Sequence, residues 1–254
     1  LAEKLNSLNL KRQEITKLIF EEAEKQVASE IKEKLLFVTG DGWPEGIVGL
    51  VAGKITEKYH KPCLVASVNG DKAIGSARSI SGFDIIKAIE GNSEKLVRYG
   101  GHSQAAGFTV EKNNIEDFRD SLKVLAKKVI SDEDLIDNVE IDAELEFSDI
   151  ADNLYGWIEK LKPFGYKNPN PDFLTRKVKV ASIRTMGNGN THLKLILYSN
   201  DIEFEAIGFG MAEYVEELKV GELIDVVYNI NMNYWNGNKS LQLRLKDLDL
   251  LSES

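Results

Sequence analysis

The ten residues LQLRLKDLDL, Leu241–Leu250, alternate apolar and polar side chains with period two. That is the period of a half-buried strand, whose successive side chains point to opposite faces. The same β-prone character runs through DFLTRKVKVASIRTM (172–186), THLKLILYS (191–199), IEFEAIGFG (202–210) and ELIDVVYNINMNY (222–234). Turns are expected at GNGN (187–190), SND (199–201) and WNGNK (235–239). One short helix, MAEYVEEL (211–218), is expected within the series. Three strands, a helix and two strands is the order of an OB-fold barrel, so residues 172–254 are expected to form an all-β OB domain.

The preceding part has a different rhythm. LLFVTG (35–40), CLVASV (63–68), KAIGSA (72–77) and AAGFTV (105–110) read as strands. EGIVGLVAGKITEKYH (45–60), FDIIKAIE (83–90) and IEDFRDSLKVLAKKVI (115–130) read as helices. Strands alternating with helices predict an α/β domain over residues 34–130, a mixed sheet with flanking helices. Gly49 and Gly53 weaken the first of these segments as a helix, and close packing against a neighbour is the expected reason for both. Residues 1–33 carry Ile15, Ile19, Ala23, Val27 and Ile31 at spacings of four, one apolar stripe on a long packing or connecting helix.

Between the two domains, residues 131–171 read as an acidic and then proline-rich linker. The stretch WIEKLKPFGYKNPNPDF (157–173) holds three of the five prolines and reads as a rigid loop rather than a helix. The acidity matters for what the chain can bind. The net charge is −9, but residues 131–150 contain nine acids and no base, so the remaining 32 acids and 32 bases balance. A uniformly basic nucleic-acid binder is excluded, whereas a local anion site is not. There is no run of about 18 apolar residues to cross a membrane. The single cysteine, Cys63, can form no internal disulfide, which points to the reducing cytoplasm. The chain starts at Leu1 inside a helical pattern, so a fragment of a longer protein is expected.

Two stretches carry chemistry. In GSARS, Gly75 would let the backbone approach a ligand, Arg78 offers a planar fork for phosphate, and Ser76 and Ser79 offer hydroxyls. A surface turn with a solvated arginine has the same spacing. In YGGHSQAAG (99–107), Gly100 and Gly101 could turn backbone N–H groups toward an anion, with His102 beside them as a donor. A glycine turn with an incidental histidine has that pattern too. His60, at a helix end, and His192, in a strand, get structural readings. In the last part, Tyr234 and Trp235 beside Lys239 suit stacking of unpaired bases, unless Trp235 packs across its own hairpin. Lys177, Lys179 and Arg184 could meet a nucleic-acid backbone. No HExxH, Walker loop or Ser-His-Asp spacing occurs, and no Asp/His cluster suggests a metal site.

At these residues the chain resembles the RecJ exonucleases of the DHH phosphoesterase superfamily, over nearly its whole length. GWPEGIVGLVAGKI (42–55), GSARS and YGGHSQAAG look like the DHH-associated domain. PFGYKNPNPDF (163–173), THLKL (191–195) and NYWNGNKSLQLRLKDL (233–248) look like the part specific to RecJ and its OB domain. The resemblance implies a 5′→3′ exonuclease on single-stranded DNA in repair and recombination. It implies Mn²⁺ or Mg²⁺ held by a DHH domain outside this chain, and a long first helix as the connector to it. A fragment without that domain is expected to be inactive by itself. By resemblance, Gly100, Gly101 and His102 contact the scissile phosphate, with His102 supporting the transition state. Gly75, Ser76, Arg78 and Ser79 hold the DNA backbone or its 5′-phosphate, and the OB domain holds the strand. Single-stranded DNA, a single-strand-binding protein and a helicase are the expected partners. One departure stands out: many relatives have a polar residue, often His, after the Trp of Trp-x-x-Gly, where this chain has Pro44. A phosphodiesterase for small nucleotides and a non-catalytic nucleic-acid-binding module are the alternatives.

Overall fold

The computed structural model describes residues 2–165, 167–235 and 237–251. It divides into two compact units, 1–137 and 138–254. In the first unit the elements are helix α1 (Ala2–Glu30), strand β1 (Leu36–Asp41), helix α2 (Glu45–Tyr59), strands β2 (Cys63–Asn69) and β3 (Lys72–Arg78), helix α3 (Ile85–Glu90), strands β4 (Leu96–His102) and β5 (Ala105–Glu111), and helix α4 (Ile115–Val129). The sheet runs β1-β2-β3-β5-β4, with β1 and β2 parallel and the other pairs antiparallel.

Period-two patterning decides how this sheet is covered. At β1, Leu35 and Phe37 belong to one core, and Leu36 and Val38 to another. The first core is closed by α3 and α4, through Ile85, Ile89, Phe118 and Leu122. Phe37, Phe108 and Phe118 meet there with ring centroids 5.4, 5.9 and 6.1 Å apart, pairs worth about 0.5–1.5 kcal/mol each beyond area burial. The second core is closed by α1 and α2, through Ile19, Ala23, Val27, Val51 and Ile55. The stripe of α1 thus packs as its spacing predicts, except that Ile31 lies past the helix and is 41% exposed.

The α1–α2 layer does not cover the whole sheet. Ala106, Phe108 and Val110 of β5 join the first core, but the alternate residues Ala105, Gly107 and Thr109 join neither. The part of that face formed by β5 and β4 is open, while α2 packs over β3 beside it. Strand β4 is an element that the sequence reading did not assign. Six consecutive residues of β4, Val97–His102, are exposed, so it has no buried alternation to read, and its strand state comes from pairing with β5.

In the second unit come strand β6 (Ala143–Glu144), helix α5 (Asp152–Glu159), and strands β7 (Phe173–Met186), β8 (His192–Ser199), β9 (Ile202–Gly208), β10 (Leu223–Trp235) and β11 (Asn238–Leu250). The order β10-β11-β9-β8-β7 closes on itself through β10–β7 pairing, a five-stranded OB-like barrel with β6 added beside β7. Leu193, Leu195, Leu197, Ile224, Tyr228 and Leu243 fill it.

Two expectations change here. Residues 211–218 do not form an α-helix; a four-residue 3-10 turn, Ala212–Val215, stands in its place. The segment read as a linker is largely structural: from residue 138 on it belongs to the second unit, where Phe147, Ile150 and Ile158 are core residues and Trp157–Glu159 finish α5. Beyond α5 the segment is a held loop, in which Asn168 donates from Nδ2 to the carbonyls of Leu161 and Pro163. No helix among the described residues is long and apolar enough to cross a membrane.

Candidate functional site

Strand register brings the two sequence stretches together. Arg78 pairs with Ala105, and Ala105 with His102. Ser76 pairs with Gly107, and Gly107 with Gly100. Directly opposed residues share a face. Arg78, Ser76, His102 and Gly100 therefore stand in two adjacent rows on one face, across a floor of Ala105 and Gly107, with Arg78 and Ser76 at the edge of α2 and His102 and Gly100 on the open part.

The ends of these strands are tied together. Ser79 N–H donates to the Gln104 carbonyl at 3.0 Å, and Gln104 Nε2 donates to the Ile80 carbonyl at 3.2 Å. Gln104 N–H also donates to His102 Nδ1 at 3.3 Å. In neutral His102 this places the ring proton on Nε2, which leaves that nitrogen as a donor for an anion. Gln104 is the positioning residue that sequence reasoning missed; nothing but its place between His102 and Ala105 could have flagged it.

Arg78 is held by neutral acceptors. Its Nη1 donates to Ser76 Oγ at 2.9 Å and to the Ala77 carbonyl at 2.8 Å. Among the described residues no carboxylate forms an ion pair with it. Ser76 thus acts by aiming the guanidinium. The hydroxyl of Ser79 points elsewhere, donating to the Phe83 carbonyl at 2.6 Å to close the turn.

The glycines separate into two kinds. A Cβ on Gly75 would come within 2.2 Å of the Phe108 ring, so Gly75 admits a core aromatic rather than a ligand. Gly101 has φ +157°, and a Cβ there would meet the Ala105 carbonyl oxygen at 2.3 Å; it serves its own hairpin. Gly49 packs as expected, with a virtual Cβ 3.1 Å from Ser76 Oγ and 3.3 Å from Arg78 Nη2. Gly100 and Gly53 have nothing within 4 Å, so no protein neighbour requires either. Gly100 bares the open face. Gly53, expected to pack against a neighbour, instead lines a cleft.

That cleft, about 410 Å³, lies between α1 and α2 and is lined by Arg12, Lys54, Arg78, Glu57, Gly53 and Leu50, among others. Three cations against one carboxylate favour an anion. A second hollow of about 370 Å³ lies over Gly100, Gly107, Thr109 and Arg98. Arg12, Lys54 and Arg98 carry no sequence signal, because α1, α2 and β4 bring them near Arg78 and Gly100 only in the fold. Among the described residues no three His, Cys, Asp or Glu side chains gather as a metal site would require. The described residues of this chain therefore do not fit a divalent-metal centre.

The residues read as nucleic-acid contacts in the second unit are dispersed. Arg184 pairs with Lys194, Lys194 with Ile207, and Ile207 with Arg244, one row across the outside of the barrel. Lys177 sits at a backbone kink with φ +53°, its N–H bonded to Asp225 Oδ1 at 2.9 Å, beside acids rather than near Arg184. Tyr234 pairs with Lys239, whose Nζ lies 5.4 Å from the Tyr234 ring centroid. Both share the strand parity of the core residues Ile230 and Leu243, so they stand on the other face of the hairpin from the Arg184 row. The side chain of Trp235 lies outside the described residues. His60 caps α2 in the left-handed region and pairs with Asp137 at 3.2 Å, a structural role.

Comparison with known proteins agrees with both units. The family described as the DHHA1 domain matches residues 27–128, and the RecJ OB domain matches residues 141–247. The single-stranded-DNA-specific exonuclease RecJ of Bacillus subtilis (strain 168) is 31% identical over 250 residues, covering 97% of this chain and 32% of its own. The protein of the same name from Escherichia coli (strain K12) is 24% identical, covering 98% of this chain and 44% of its own. The chain spans between about a third and under half of the length of these curated relatives. The crystal structure of RecJ in complex with Mn²⁺ from Thermus thermophilus superposes with a TM-score of 0.77 at 23% identity, over 97% of this chain and 35% of that one. At that identity the likeness speaks for the fold alone.

Proposed function

The chain is a DHHA1 domain followed by a RecJ OB domain, the C-terminal part of the RecJ family, and from that premise we propose that it holds the substrate of an exonuclease acting on single-stranded DNA. The observation that carries the reading is the row Arg78–Ala105–His102, which runs from the edge of α2 onto the open part of the sheet face. Arg78 supplies an uncompensated guanidinium, aimed by Ser76. His102 supplies an Nε2–H, aimed by Gln104. Gly100 and Gly107 let a phosphate approach the strands between them. Donors standing along one row of the sheet suit successive phosphate oxygens of a strand laid across it. The cleft with Arg12 and Lys54 extends the same positive field for neighbouring phosphates.

The finer parts of the reading follow from the family. The cut runs 5′→3′. Manganese or magnesium, which would activate water, is held by residues beyond those described, and the chain by itself does not hydrolyse DNA. Mn²⁺ and Mg²⁺ are the ions in the solved Thermus thermophilus RecJ structures. The compartment is the reducing cytoplasm, which suits the buried free thiol of Cys63. A single-strand-binding protein and a helicase are the proposed partners. The small-nucleotide alternative is disfavoured by the second unit, since a short substrate needs no strand-binding barrel.

Fluorescence anisotropy tests the reading directly. The chain should bind labelled single-stranded DNA more tightly with a 5′-phosphate than without it, and binding should weaken with salt. Arg78→Ala should remove most of the 5′-phosphate preference. Equal binding by wild type and Arg78→Ala would sink the assignment.

A further inference from the structure

On the outside of the barrel, next to the Arg184–Lys194–Ile207–Arg244 row, stands a residue to which the sequence assigned no role. Phe209 directly follows β9 and is 54% exposed, although it is not loose. The Arg244 guanidinium lies 5.0 Å from its ring centroid. The His192 ring meets it edge to face, with centroids 5.0 Å apart and planes at 62°. His192 is itself fixed: its Nδ1 accepts from Gly210 N–H at 3.2 Å, and the loop presses close at Gly187, where a Cβ would sit 2.7 Å from the imidazole. An exposed aromatic held by a cation and a clamped imidazole is a rigid stacking surface.

The row leads from there into a groove of about 460 Å³, half of whose lining is uncharged and polar, Asn233, Asn238, Ser240 and Gln242, the rest being Lys194, Glu205, Met186 and Ile207. Glu205 accepts hydrogen bonds from both Lys194 and Gln242, so the lysine's charge is cancelled inside the groove. Amides and a hydroxyl match the mixed donor and acceptor edges of unpaired bases. A groove built for phosphate would keep its cation free. Asn233, Ser240 and Gln242 share one hairpin face, and Tyr234 lies on the other.

We infer that Phe209, braced by Arg244 and His192, is a base-stacking platform of the second unit, and that the adjoining amide-lined groove receives unpaired nucleobases by their edges. The inference rests on the strand-binding reading above and deepens it: the first unit takes the phosphates and this face takes the bases.

The experiment compares an oligothymidylate with an abasic strand of equal length, by anisotropy, using the whole chain. Wild type should prefer the strand with bases. Phe209→Leu should weaken oligothymidylate binding about 10-fold, within the range expected for removing one base stack, and leave abasic binding unchanged. Phe209→Trp, a second variant that keeps a ring, should retain the preference. If Phe209→Leu binds both strands as wild type does, or weakens both equally, the platform is overturned while strand binding stands. If wild type binds neither strand, the strand-binding reading falls and this inference with it.

Discussion

Arg78 and Arg176 are both strand arginines, and each guanidinium touches two acceptor oxygens within 3.1 Å. For Arg78 the acceptors are a hydroxyl and a carbonyl. For Arg176 they are the carboxylates of Glu144 and Asp225, and the hydrogen-bonded ion pair with Glu144 raises its pKa further. The first arrangement fixes direction and keeps the charge for a ligand. The second consumes the charge inside the fold. Lys194 on Glu205 repeats the second arrangement on the barrel face. The difference teaches that counting bases does not locate an anion site: the acceptors must be neutral. The division proposed above, electrostatic holding in the first unit and stacking with base-edge contacts in the second, rests on that difference.

The largest effect should come from Arg78→Ala. Removing charge-assisted hydrogen bonds of about 1.5–3 kcal/mol should weaken binding to single-stranded DNA roughly 10- to 100-fold. The slope of log K against log salt should fall by about 0.7 for each phosphate that is no longer neutralised, with thermal stability unchanged. An unchanged slope would break the comparison.

Next is pH, which should separate the two units. Tyr228 is buried in the barrel and hydrogen-bonded to Thr175 at 2.7 Å, and burial pushes its pKa up to about 12 from 10.0. Below about pH 10 both folded and unfolded states keep the phenol neutral, and its stability contribution is complete. Above that the unfolded chain ionises first, so stability falls by about 2–3 kcal/mol as pH approaches 12. Thermal melts at pH 9 and 11.5 should show the second unit losing more than the first, and Tyr228→Phe should reduce the loss, the remainder coming from Tyr155, whose pKa burial also pushes up to about 12.

A smaller effect sharpens the contrast. Arg176→Ala should leave DNA binding within about twofold and the salt slope intact, because its charge is already matched by Glu144 and Asp225. The melting temperature of the second unit should fall slightly, as the largely buried Asp225 carboxylate is left with one partner fewer. A changed salt slope would show that Arg176 serves the ligand after all.

The smallest concerns α2. Gly53→Ala should stabilise that helix by up to about 1 kcal/mol, since nothing lies within 4 Å of the added methyl. If the α1–α2 cleft carries a strand, binding should weaken by a few-fold; unchanged binding would remove Gly53 from the path. Gly49→Ala provides the contrast, because its methyl presses on Ser76 and Arg78 and should disturb the guanidinium directly.

Much of the fold is legible in the chain because burial writes a period. Ile19, Ala23 and Val27 lie at spacings of four on α1, and Leu193, Leu195 and Leu197 at spacings of two on β8, since each set faces one core. Strand β4 left no such mark, with its residues exposed over Val97–His102. The segment at 211–218 misled in the opposite way, with helix-forming residues where the structure has only a 3-10 turn. In the candidate site, GSARS and YGGHSQAAG are visible as residue types, but Gly75 and Gly101 look like ligand glycines and serve packing instead.

By itself, then, the sequence determined the two rhythms, the α/β unit and the barrel, and the stock of arginine, serine and histidine side chains proposed to meet phosphate. Local propensity and side-chain periodicity act within a few residues, and that is enough to set them. Only the tertiary structure decided which arginine stays uncompensated, which glycines stay bare, and that Phe209 rather than Tyr234 meets Arg244. Those outcomes depend on partners brought together by register: Arg176 meets Asp225 and Lys194 meets Glu205 across strands, while Arg78 meets a hydroxyl and a carbonyl. A shift of one residue in strand pairing would send each side chain to the opposite face, and no local pattern records that choice.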